Sequence, residues 1–285
     1  MKLAYKDFDL PLSIASGQCF EWKKVSDFYY GEIFPGSIIK IRQLGTSQEG
    51  ELEYEIFGKA INKSDIKRYF SLETDYKELV ASFNKDENIN KAINHLHGLR
   101  LVNQNPWRCL NSFIISANNT VLNITRSVER LSINYGDKVE TDIGLIDIFP
   151  QLHKWKNISE QDFRDLKLGF RSKYLAKIPE HINSTEEYFD KLLKSDYKGA
   201  KQILTQIPGI GSKVADCILL YSLSKHEAYP VDVWLRRVTH EVYFSTLENK
   251  PNDEDLRDWA LNYFGPKAGI AHMFLFVYRR SIGVI

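Results

Sequence analysis

Cysteine is scarce in this chain: Cys19, Cys109 and Cys217 are the only three in 285 residues. An odd number at such separations builds neither a disulfide framework nor a CxxC zinc site, and it cannot supply a four-cysteine iron–sulfur cluster. Long apolar runs are missing too. None approaches the roughly 20 residues needed to cross a bilayer, and the start Met1-Lys-Leu-Ala-Tyr-Lys-Asp7 has no apolar stretch of the signal-peptide kind. An intracellular protein is expected, in the cytoplasm or nucleoid of a prokaryote or the nucleus of a eukaryote. Excess charge is absent as well, since 38 basic and 37 acidic side chains leave a net +1. That balance gives no general affinity for nucleic acid, so any DNA-binding face must be local. One candidate is the stretch 154–177, where Lys154, Lys156, Arg164, Lys167, Arg171, Lys173 and Lys177 face only Glu160, Asp162 and Asp165. The same run also reads as a solvated helix face.

What is present is the composition of an ordinary globular protein, 43% hydrophobic and 26% charged, with enough chain for two packed units. Tyr29-Tyr-Gly-Glu-Ile33, Ser37-Ile-Ile-Lys-Ile41 and Glu51-Leu-Glu-Tyr-Glu-Ile-Phe57 are short, β-rich and punctuated by Pro35-Gly36 and by Gly45 and Gly50. In the last of them Leu52, Tyr54 and Ile56 alternate with glutamates, the pattern of a strand buried on one face. From a cap at Ser64 the periods become helical, through Leu79, Val80 and Phe83, then Ile89, Ile93 and Leu96. Trp107 to Leu131 reads as two helices broken at Asn118-Asn119-Thr120. Further helices are expected over 200–206, 213–223, 233–244, 253–264 and 268–278. The fold class is therefore α+β: an N-terminal antiparallel β-sheet domain with flanking helices over 1–95, then a larger all-helical domain over 96–285. A helix-hairpin-helix falls at about 198–223.

That hairpin is Ile207-Pro-Gly-Ile-Gly-Ser-Lys213-Val-Ala-Asp-Cys217. Gly209 and Gly211 permit positive φ and close approach, so successive amides at the second helix's start can point at one phosphate and hold a DNA backbone without reading bases. A plain helix-to-helix turn fits equally well. Lys213 lies in the first turn of that second helix, where the dipole disfavours a cation and favours the neutral, nucleophilic amine. A surface lysine that binds phosphate is the alternative. Asp232, in Pro230-Val-Asp232-Val-Trp234, is placed as a helix N-cap. Its carboxylate can also stabilise positive charge developing on a sugar carbon.

Together these two motifs resemble the helix-hairpin-helix-GPD superfamily of DNA base-excision glycosylases, and within it the 8-oxoguanine DNA glycosylase branch. Further similarities follow in order: Ser16-Gly17-Gln18-Cys19-Phe20-Glu-Trp22, Gly98 to Pro106, Ser116-Ala-Asn118-Asn119, Leu168-Gly169-Phe170-Arg171, and Phe264-Gly265-Pro266-Lys-Ala-Gly269. The resemblance implies an enzyme that flips a damaged nucleotide out of double-stranded DNA containing oxidised guanine and cuts its glycosidic bond. Lys213 would be the nucleophile toward C1′ and Asp232 the assisting carboxylate, with a Schiff base leading to β-elimination. Gly17 would offer its carbonyl to the protonated N7 of 8-oxoguanine, while Cys217 and Phe276 sandwich the base; ordinary core packing also accounts for those last two. Phe170, Arg171 and the segment 111–123 would face the gap and the orphaned partner base. Gly209, Gly211 and Trp234 fall on the DNA-backbone side. The resemblance further suggests a monovalent cation on hairpin carbonyls near Thr205, Ile207 and Ile210, no other metal and no cofactor, and a monomer.

Three positions depart from the branch's pattern. His272 stands where glutamine usually meets the base's Watson–Crick edge, and it brings fewer hydrogen-bonding atoms. Asn123 replaces an arginine that reads the opposite base, and Trp234 replaces a histidine. A monofunctional glycosylase is the second reading, although such enzymes lack a lysine at the position of Lys213. The endonuclease III and adenine glycosylase branches usually carry the four-cysteine cluster this chain cannot build. A non-catalytic DNA-binding module that uses the hairpin as a phosphate clamp is the third.

Overall fold

The computed structural model describes residues 1–283. Five antiparallel strands, β1 (Lys2–Lys6), β2 (Lys23–Val25), β3 (Phe28–Phe34), β4 (Ser37–Gly45) and β5 (Glu49–Gly58), form one sheet in the order β1-β5-β4-β3-β2. The alternation in β5 sets its register: Leu52 faces Gln43, Tyr54 faces Ile41 and Ile56 faces Ile39 across the ladder. Leu52 and Tyr54 are buried with Ile33, Ile39, Ile41, Ile66, Tyr69 and Phe70 beneath the sheet. The helix Lys63–Tyr69 brings those last three into place. Its cap is Asn62, whose side chain accepts the Asp65 amide while Asp65 reaches back to the Asn62 amide. Ser64, the expected cap, lies inside the helix and donates to Asn62, because the reciprocal pair satisfies two amide donors where a serine cap would satisfy one.

The rest of the chain packs around a second apolar core centred on the fully buried helix Pro106–Ile115, whose principal neighbour is Ser212–Ser222. The expected break after the first of these falls at Ser116 to Thr120, with Thr120 capping Val121–Tyr135. One element corrects the all-helical expectation. A two-stranded hairpin, Lys138–Thr141 and Gly144–Asp147, interrupts the helices and lays Val139 and Ile148 against Tyr30 and Ile38 on the outer face of the sheet. Beneath it a buried arginine joins the two cores, since Arg108 donates to Glu21 at 2.8 Å and to Glu32 at 3.0 Å.

The basic stretch also differs from a continuous face. It is divided among Leu152–Trp155, Glu160–Asp165 and Ser172–His181. Lys154 pairs with Asp137 and Arg164 with Glu160, while Arg171 turns inward onto the Ala117 carbonyl, so these three of its seven cations are engaged locally.

Candidate active site

Two helices meet at the hairpin. Tyr197–Leu204 ends at Thr205, Gly209 turns the chain with φ +92°, and Ser212–Ser222 begins at once. A Cβ at Gly209 would lie 2.6 Å from Tyr174 Cγ, so the close approach of Tyr174 independently requires glycine there. The turn fixes Lys213 one residue into the second helix. Its side chain is half-buried, with Nζ 5.5 Å from the centre of the Phe113 ring.

Asp232 approaches from the other side as the N-cap of Val233–Tyr243, accepting the Leu235 amide at 2.7 Å. The cap engages one carboxylate oxygen and leaves the other without a hydrogen-bond partner among the described residues. Capping and chemistry can thus coexist at one residue.

Lys213 and Asp232 line one small cavity of about 70 Å³ together with Gly17, Phe113, Cys217, His272 and Phe276. All six residues assigned from sequence to the catalytic pair and the base pocket are therefore neighbours, drawn from four separate segments. Gly17 adopts φ +94° at the cavity's edge. Burial pushes the Cys217 thiol up to about 11, opposed chiefly by the charge of Lys213, so the sulfur is a neutral apolar wall rather than a nucleophile. His272 is buried and stacks parallel to Phe276 at 6.1 Å, with its Nδ1 unpartnered.

Burial drives the pKa of His272 down to about 4; Asp232 opposes the shift and Lys213 adds to it. The unfolded ring binds a proton near 6.5 and the folded ring only near 4. The stabilisation is complete above pH 6.5 and is lost as pH falls toward 4, by at most about 3 kcal/mol. Chemical denaturation at stepped pH should show the acid-induced loss reduced in His272→Gln. An identical pH slope in both proteins would contradict a buried neutral ring.

A second group of assigned residues lies on a surface beside the hairpin. Arg171 donates through Nε to the Ala117 carbonyl at 2.9 Å and through Nη2 to the Asn118 carbonyl at 2.8 Å. Its guanidinium sits 4.6 Å from the Phe170 ring, and Phe170 meets Tyr174 edge-on. Gly209, Tyr174, Phe170, Arg171 and Asn118 thus form one contiguous chain of contacts. Asn118 is exposed with φ +49°, Asn119 bonds the Ile115 carbonyl at 3.2 Å, and Asn123 is exposed on the next helix's first turn. Gly211 is exposed at the start of the second hairpin helix. Trp234 is exposed beyond Asp232, with Arg237 4.9 Å above its ring.

Asn111 does not join this surface. It is wholly buried and donates to the Trp107 carbonyl at 2.8 Å, so the exposed part of 111–123 begins only after Ile115.

Family comparison agrees with this geometry over most of the chain. Residues 1–110 match the 8-oxoguanine DNA glycosylase N-terminal domain, and residues 111–259 match the HhH-GPD superfamily base excision DNA repair protein. The chain belongs to the HhH-GPD superfamily of base-excision DNA repair proteins. Within that superfamily it is 30% identical to the N-glycosylase/DNA lyase of Saccharomyces cerevisiae, over 90% of this chain and 74% of the relative. It is 28% identical to the N-glycosylase/DNA lyase OGG1 of Arabidopsis thaliana, over 97% of this chain and 79% of that protein. The Clostridium acetobutylicum 8-oxoguanine glycosylase/lyase, solved with double-stranded DNA containing cytosine opposite 8-oxoguanine, superposes with a TM-score of 0.87. Identity is 28%, covering 99% of this chain and 98% of that one.

Two members of the site carry no sequence signal. Phe113 is indistinguishable from any apolar residue of a buried helix. Asp216 lies in Ser212–Ser222 and is fully buried. It accepts the Tyr197 hydroxyl at 2.7 Å and Arg257 Nε at 2.6 Å, with Lys201 Nζ at 3.1 Å. Arg257 continues to Glu254, which accepts the Ser212 hydroxyl at 3.1 Å. Three helices are tied together behind Lys213.

Proposed function

We propose that this chain is a bifunctional base-excision enzyme, a DNA glycosylase and abasic-site lyase that removes 8-oxoguanine from duplex DNA. The observation that carries the reading is the convergence of Lys213 and Asp232 on one cavity walled by Gly17, Cys217, His272 and Phe276. The Lys213 amine attacks C1′ of the flipped nucleotide, and the base departs with the glycosidic electron pair and takes up a proton. Asp232 stabilises the positive charge that builds at the sugar. The C1′–O4′ bond then opens, O4′ taking up a proton as the C4′ hydroxyl while C1′ and the Lys213 nitrogen form an imine. Loss of a C2′ proton then expels the 3′ phosphate by β-elimination, breaking the 3′ C–O bond.

Gly17 presents a carbonyl acceptor to the N7 proton of 8-oxoguanine. Guanine carries a lone pair there and leaves that acceptor unpaired, which supplies the discrimination. His272, neutral at working pH, contributes an uncharged hydrogen-bonding edge. Gly209 and Gly211 hold the backbone, Phe170 occupies the gap left by the flipped base, and Arg171 acts by holding the Asn118 turn. The proposed enzyme acts as a monomer and without a cofactor. A monovalent cation on the carbonyls near Thr205, Ile207 and Ile210 fits, because the Ile207 carbonyl spends one of its two lone pairs on the Ile210 amide. It would brace the hairpin only.

Lys213 favours this reading over a monofunctional glycosylase. A duplex with one 8-oxoguanine, read for both base release and strand cleavage, tests the pair of activities; release without cleavage would support the monofunctional reading.

Opposite-base selectivity is expected to be weak. Asn123 is short, uncharged and exposed in the first turn of Val121–Tyr135, so the position where the branch's pattern has an arginine carries no cation. Excision rates opposite cytosine, adenine, guanine and thymine should lie within about tenfold, the range left when one charged contact is lost. A strong cytosine preference would contradict the role given to Asn123.

A further inference from the structure

Beside the base pocket, a residue far along the chain meets two of its lining residues, Gly17 and Phe276. Arg280, near the end of the helix Ala268–Ser281, donates through Nη2 to the Ala15 carbonyl at 2.9 Å. Its Nη1 occupies the space a side chain at position 17 would need, 2.9 Å from where a Cβ would stand on Gly17. The guanidinium carbon lies 5.8 Å from the centre of the Phe276 ring. One planar cation therefore touches both the turn that carries the Gly17 carbonyl and the ring that stacks on the base.

We propose that Arg280 is a positioning residue for lesion recognition, holding the Ser16–Gly17 turn against Phe276 so that the Gly17 carbonyl meets the N7 proton of the flipped base. This rests on the reading of the cavity as a base pocket. The turn is anchored from within, where buried Ser16 donates to the Ser13 carbonyl at 2.8 Å and buried Gln18 to the Ser13 and Arg100 carbonyls at 2.9 Å. On its outer side Ala15 is exposed and Gly17 half-exposed, and glycine at φ +94° has wide backbone freedom. A hydrogen-bond acceptor selects between a donor and a lone pair only if its direction is fixed, and a misplacement of about 1 Å costs on the order of a hundredfold in rate. Arginine suits the task because its fixed fork donates to a carbonyl while its face lies near an aromatic ring. Lysine would keep the charge and one donor but lose the plane.

The test compares two reactions of the same enzyme. Excision of 8-oxoguanine needs the base to be read, whereas cleavage at a preformed abasic site needs only Lys213 and the backbone grip. In Arg280→Ala the ratio of 8-oxoguanine excision to abasic-site cleavage should fall by about tenfold or more, with Arg280→Lys intermediate. Excision of unmodified guanine relative to 8-oxoguanine should rise in the same series. An unchanged ratio, or equal loss of both reactions, would overturn the proposal, the second result marking Arg280 as merely structural. Absence of both reactions in the unmodified protein would instead refute the underlying reading of the site.

Discussion

Replacing Lys213 by glutamine is expected to lower 8-oxoguanine excision by at least about 10³-fold, the scale on which removal of an irreplaceable nucleophile acts. Duplex affinity should change far less. In the proposed scheme the grip on DNA comes from the hairpin backbone and the surface around Arg171, and neither depends on the Lys213 amine. The amine stands 5.5 Å from the Phe113 ring and shares its cavity with the Cys217 thiol and the Asp232 carboxylate. Glutamine fills a similar volume but has no basic lone pair, so the variant isolates the chemistry from the packing. Single-turnover excision beside a binding titration separates the two effects. An unchanged rate with Lys213→Gln would remove the nucleophile from the mechanism, and a parallel collapse of binding would make Lys213 a phosphate contact.

The largest effect on stability is expected from Asp216→Asn. Asp216 is fully buried between Arg257 and Lys201, which are 7% and 15% exposed, and it also accepts the Tyr197 hydroxyl. Asparagine keeps the shape and removes the charge, leaving two cations without their shared counter-ion. Breaking a buried network on one side in this way costs about 3–5 kcal/mol. For a chain of this length that corresponds to a melting temperature lower by roughly 10 °C. The network joins the two helices of the hairpin to Asp253–Phe264, so local loosening should also reach the turn that positions Lys213. Thermal denaturation followed by circular dichroism measures the loss. A change under about 1 kcal/mol would mean that desolvation of the three charges cancels their attraction.

Much of this molecule is legible in its sequence because short-range physics dominates where the motifs lie. The alternation of Leu52, Tyr54 and Ile56 reports a half-buried strand, and the two glycines of the hairpin report a turn. Asp232 after Pro230 marks a cap, and each outcome depends on a few consecutive residues. The hairpin at Lys138–Asp147 escapes detection since its strands are four residues each and gain their burial from Tyr30 and Ile38, a hundred positions earlier. Asn111 misleads for the same reason. A polar residue near an exposed turn reads as surface, whereas its helix is buried all round and its amide is spent on Trp107. Arg171 also looks like a free cation beside DNA, yet two backbone carbonyls hold it inward. Arg280 and Asp216 are invisible to local reading, because their partners lie at Ala15 and Arg257. Local pattern announces the chemical groups; the residues that aim them are found only after folding.

The central claim is that Lys213 forms a covalent imine with the sugar of the excised base. Borohydride reduction during turnover on a duplex containing one 8-oxoguanine, followed by peptide mapping of the cross-link, tests it directly. The predicted result is a stable protein–DNA adduct that maps to Lys213 and disappears in Lys213→Gln. Base release without any trapped adduct, or an adduct on another lysine, would contradict it.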